Sequence, residues 1–153
     1  MSKEPIDLKA AAAASPYALF ETDKSVEQQG VRVDYGPFYF QVARAGGANT
    51  RFRDVLRTRL APHKRAMAND VMNDELADKI ALDVFCETVV LGWGSEIYGD
   101  GKVPNKAGEP VEYGVENVKA FFKDLPDLAR DVMSQAQSAA LFRSVIAELD
   151  AGN

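Results

Sequence analysis

Two residue types suited to nucleophilic or metal chemistry occur once each, His63 and Cys86. A metal centre or an activated thiol needs partners at defined spacings, and His63 has no acid or thiol at a ligand-like distance along the chain. Cys86 lies inside a long apolar run, where a thiol serves as packing material. Gly46-Gly47, just ahead of an expected helix, is the kind of turn that cradles phosphate, but neither a GxGxxG pattern nor a P-loop lysine accompanies it. Gly99-Asp100-Gly101-Lys102 opens like a calcium loop and lacks the spaced oxygen ligands and terminal glutamate that would complete one. No pair of carboxylates is conspicuously placed for acid–base work, so we expect no catalytic residue, no cofactor, no metal and no enzymatic activity.

Charge is the more informative chemistry. Eighteen Lys plus Arg against twenty-three Asp plus Glu give a net charge of -5, which argues against nucleic acid as a partner. Yet between Arg44 and Arg65 there are seven basic residues and one acid, Asp54. This patch either balances the acids around Asp70, Asp74, Glu75 and Asp78 as a solvated face, or meets an acidic partner. Arg53 and Arg57 are one helical turn apart with only Asp54 beside them. With Arg44 they are candidate partner-binding residues, the partner being another protein or a neighbouring copy. With no apolar run of membrane-spanning length and no signal sequence, the expected location is cytoplasmic.

The elements that position these groups follow from periodicity. At 153 residues the chain fits a single domain with a core large enough to need no staple. Residues 74–93, DELADKIALDVFCETVVLGW, are apolar nearly all round a helical wheel except for a strip of Lys79, Asp83 and Glu87, which predicts a buried central helix. Its start is marked by Asn73 or Asp74 and its end by Gly92. Alternation in Val31–Tyr35 and Phe38–Val42 around Gly36-Pro37 predicts a β-hairpin whose face of Val31, Val33, Phe38, Phe40 and Val42 lies on helices. Asn49 suits an N-cap for a helix over residues 50–60, ended by Pro62. Within that helix Arg59 falls in the apolar stripe and needs a carboxylate or a route to solvent. Residues 94–113, rich in Gly and Pro, read as a long mobile loop. Helices resume at Val115, and Pro126 opens a last one expected to reach about Leu149. Its seam of Leu128, Val132, Gln135, Ala139, Phe142, Ile146 and Leu149 packs on the core or, from Phe142 through Ile146, receives a partner helix.

The expected fold class is therefore mainly α (α+β): a helical domain around a central helix of about residues 74–93, with one small β-hairpin of about residues 31–43. Residues 1–29 form a weakly ordered, alanine-rich N-terminal segment. Its Tyr17, Leu19 and Phe20 either pin it to the body or contact a partner. Residues 30–153 form the single domain.

Five pieces recur in an order and spacing that resemble a tailed-phage or prophage tail assembly chaperone. They are Phe38 to Arg44 running into Ala45-Gly46-Gly47-Ala48-Asn49, then Phe52 and Leu56, then Val90-Leu91-Gly92-Trp93, then Tyr113-Gly114-Val115-Glu116-Asn117, and finally Leu125-Pro126-Asp127-Leu128. The resemblance spans residues 30–142. It implies a non-enzymatic assembly factor in the host bacterial cytoplasm that coats the tape-measure protein, helps recruit tail-tube subunits and is absent from the finished virion. A virion structural part, such as a minor tail or head–tail joining protein, is the alternative. Mass spectrometry of purified particles separates the two.

Overall fold

Alternate residues of a strand share a face, and in Phe38–Val42 that face carries Phe38, Phe40 and Val42, the last two buried. The rest of the core assembles around them in a computed structural model that describes residues 5–143. In chain order the elements are α1 (Leu8–Ala13), α2 (Pro16–Phe20), α3 (Lys24–Gln29), β1 (Val31–Asp34), β2 (Phe38–Val42), α4 (Thr50–Leu60) and a short 3-10 turn at Ala61–His63. Then come α5 (Lys64–Ala68), α6 (Asp74–Thr88), β3 (Val90–Ser95), β4 (Gly99–Asp100), β5 (Lys102–Pro104), β6 (Pro110–Glu112), α7 (Val115–Asp124), α8 (Pro126–Gln137) and a closing 3-10 turn at Ala139–Phe142.

The first two strands form where the alternation places them, but the expected fold class, helices around one long helix with a single hairpin, is corrected. β1 to β4 make a four-stranded antiparallel sheet in sequence order, and β5 with β6 makes a second, two-stranded one. The expected central helix ends at Thr88, and its last residues become β3, which pairs with β2. Three causes act together. Thr88, Val89 and Val90 are β-branched and fit a pleated surface better than a helical turn. Gly92 and Gly94 weaken a helix further. And the outer edge of β2 offers unpaired backbone groups that β3 satisfies. Leu91 is passed over in the register, Gln41 facing Gly92 and Val42 facing Val90, so a bulge bends the strand as it leaves α6.

Residues 94–113 are likewise structured where a long loop was expected. Gly99, Gly101 and Gly108 take positive φ, which permits the tight reversals between β3, β4, β5 and β6. Ser95 Oγ donates to Lys102 O at 2.7 Å, Tyr113 N–H to Gly101 O at 2.8 Å, and Tyr113 OH to Val90 O at 2.7 Å. Val103 is buried. The hydrogen bonds compensate for the scarcity of apolar anchors.

Against the sheet, Phe85 of α6, Phe122 of α7 and Val132 and Ala136 of α8 close the core. Phe122 lies 5.7 Å from Phe40 and 6.3 Å from Phe85, ring centre to ring centre. The last helix, expected to reach about Leu149, stops at Gln137. Ser138 is extended, and the following turn brings the Phe142 carbonyl to the Asp23 N–H at 2.9 Å. That bond docks the start of α3, whose N-terminus Asp23 caps through Ser25 and Val26. α1 and α2 are capped by Asp7 and Ser15 in the same way, but neither buries a residue.

Candidate functional site

α4 lies at the surface: none of its residues is fully buried, and Phe52 packs against the core. Phe52, Val55, Leu56 and Leu60 turn inward, half-buried, while Arg51, Arg53, Asp54 and Arg57 face solvent. Asn49 occupies the N-cap position of this helix, as expected, but its buried side chain makes no capping hydrogen bond and instead ties the Arg44 loop to the end of α6. Its amide donates to Arg44 O at 2.9 Å and to Thr88 O at 3.2 Å.

The basic stretch that precedes and includes α4 divides into engaged and unengaged charges. Arg44 lies 3.4 Å from Glu27, and Arg59 lies 2.6 Å from Glu87. Arg59 thus finds the carboxylate its position demanded. Among the described residues, Arg53 and Arg57 take part in no ion pair. Of the sequence-predicted partner-binding residues, these two sit together on one exposed side, one turn apart. Arg44 serves an internal contact, and Phe142 is fully buried. Ile146 lies outside the described residues.

Glu27 is the residue that sequence reasoning missed. It is buried on α3, accepts hydrogen bonds from the Thr22 hydroxyl and, at 2.7 Å, from the Ala48 N–H, and faces Arg44. Burial is the largest single influence and pushes its carboxyl up, but the two hydrogen bonds and the Arg44 guanidinium together hold it below the ordinary value. The Gly46-Gly47 turn therefore does cradle an anion, the protein's own. Gly47 has φ +52, and a Cβ there would collide with the Glu27 carboxylate. A glycine-rich turn with no ligand motif was the available sign that an internal acid would fill it.

The wet strip of α6 forms an ion network beside α4. Lys119 of α7 reaches Asp83 at 3.6 Å, Glu87 at 3.5 Å and Glu116 at 3.4 Å, while Lys79 meets Asp83 at 3.0 Å. Burial works against the Lys119 ammonium, but Asp83, Glu116 and Glu87 outweigh it and hold its pKa above the ordinary lysine value. Under this network Cys86 is completely buried, and desolvation, the dominant cause, pushes its thiol up to about 12. A thiol so shielded stays protonated and unreactive.

Asp100, at the head of the suspected calcium loop, accepts a hydrogen bond from Tyr39 OH, whose ring carries the Arg32 guanidinium 3.6 Å from its centre. Among the described residues no group of three or more His, Cys, Asp or Glu side chains is arranged to hold a metal ion, and no helix is long and apolar enough to cross a membrane. The arrangement offers contact surfaces: a basic one on α4, and an apolar groove of about 160 Å³ between Phe38, Phe40, Val103, Phe121, Leu125 and Leu128.

A family model described as YdaY prophage protein matches residues 47–153, from the Gly46-Gly47 turn onward. No curated protein and no solved structure matches the chain.

Proposed function

The chain belongs to the YdaY prophage protein family, and from that premise we propose that it is a tail assembly chaperone acting in the host bacterial cytoplasm. On this reading it binds the tape-measure protein, helps recruit tail-tube subunits and catalyses nothing. The observation that carries the reading is the pair Arg53 and Arg57: exposed on α4, in an acidic protein, with no carboxylate of their own among the described residues. A cation pair left free in this way suits an acidic stretch of a long helical partner, where it raises association rate more than final affinity. The resemblance of Phe38 to Asn49 and of the later motifs to tail assembly chaperones supports the same assignment, as does membership of a prophage family.

The experiment is co-expression with the tape-measure protein of the same prophage, followed by affinity capture of either one. Stable co-purification, together with absence of the chain from purified particles, is the expected result. A chain that stays with the particle and ignores the tape-measure protein is a virion structural part instead.

A further inference from the structure

Five large apolar side chains on the N-terminal arm find no cover among the described residues. Ile6 is 77 % exposed, Leu8 79 %, Tyr17 73 %, Leu19 60 % and Phe20 75 %. The arm's helices, six and five residues long, bury nothing. Helices this short do not persist on propensity alone, even when rich in alanine; packing has to hold them. At roughly 150 Å² for each large side chain, scaled by these exposures, the arm presents on the order of 550 Å² of apolar surface. That is roughly the apolar share, about 65 %, of the ~800 Å² that each partner contributes to a standard stable interface.

We propose that the arm is a homotypic docking surface, its occupant the arm of a second copy of this chain. Knob and hole lie on the same segment. The segment that bears the exposed Leu19 also forms an open cleft of about 480 Å³ lined by Pro16, Tyr17, Phe20, Glu21, Thr22 and Lys24. A surface that carries both a projection and its receptacle closes by two-fold symmetry, each copy filling the other's cleft. The charges agree. Glu21 and Lys24 both line the cleft and form no ion pair with each other or elsewhere among the described residues. Across a two-fold axis each Glu21 meets the other copy's Lys24. The arm lies wholly outside the family match, which begins at Gly47, so the proposal does not depend on the tape-measure reading.

The test is sedimentation equilibrium of the full chain alone. The expected result is a reversible dimer, made monomeric by Phe20→Glu with an unchanged far-UV spectrum. Glu21→Lys weakens the dimer by at least about tenfold, and Glu21→Lys combined with Lys24→Glu restores it. Dimerisation that survives Phe20→Glu, a monomeric wild-type chain, or a double reversal that rescues nothing each overturns the proposal. A monomer that needs the arm to co-purify with the tape-measure protein assigns the surface to that partner instead.

Discussion

Trp93 stands directly opposite Phe40 in the register of β2 and β3, and the two rings meet edge to face with centres 5.9 Å apart. Tyr113 and Phe121 complete the cage around the indole, at 6.1 and 5.0 Å. The pair joins the third strand to the hairpin and to α7. Trp93→Ala is therefore expected to cost about 3–5 kcal/mol, read from the urea midpoint at unchanged slope. A loss under about 1 kcal/mol would mean that the packing here is dispensable.

The same residue shows why the sequence misled at this point. A continuous apolar run reads alike for a helix buried on all sides and for a strand buried on both faces. Nothing local in Val89-Val90-Leu91-Gly92-Trp93 says that β2, fifty residues earlier, has an unpaired edge waiting. By contrast, signals that act locally were legible. Alternation and Gly36-Pro37 placed the hairpin, and the Asn73 side chain caps α6 through the Glu75 N–H at 2.8 Å. Pro126 opens α8, as its missing N–H allows. The candidate site divides the same way. The exposure of Arg53 and Arg57 was legible because it follows from helix phase, whereas the internal pairing of Arg44 was not, because Glu27 belongs to a helix with no strong apolar period. Phe142 followed the seam on paper and is buried because the chain turns at Ser138 toward α3.

Glu27 makes stability depend on pH. Its folded pKa lies below the ordinary carboxyl value of 4.5, so near that pH the folded state binds fewer protons at this carboxyl than the unfolded state does. The stabilisation is complete above about 4.5 and is lost as pH falls through the depressed folded value. Wild-type protein should exceed Glu27→Gln in stability at pH 7 and lose that advantage on acidification, by urea titration at each pH. Gly47→Ala, which drives a Cβ into the same carboxylate and strains a positive φ, should cost about 2–4 kcal/mol. A pH-independent gap between wild type and Glu27→Gln would remove the internal-anion account.

Cys86 supplies a probe of the packing beneath the ion network. With the thiol fully buried and its pKa pushed to about 12, native protein should react negligibly with a chromogenic disulfide at pH 7, and raising the pH to 9 should not accelerate it. In denaturant one thiol per chain should appear at once. Rapid native labelling would mean that α6 and α7 separate readily.

The basic face of α4 carries the functional assignment, and its exposure makes it separable from folding. Arg53→Glu with Arg57→Glu puts two acids where solvent meets the helix, at sites with no ion pair among the described residues to lose. The melting temperature should therefore move little. Surface charges act within a Debye length of about 10 Å at 0.1 M salt, so any partner they attract is held more firmly at low ionic strength. If the proposed tape-measure binding holds, capture of that protein by wild type should weaken as salt rises. The double variant should bind several-fold less at low salt and converge on wild type at about 0.5–1 M, where screening removes the difference. Equal capture at low salt by a normally folded variant would make this face a solvated counterweight to the acids of α6. Any partner would then be sought on another surface, and the groove between Phe38, Phe121, Leu125 and Leu128 would be the next one to alter.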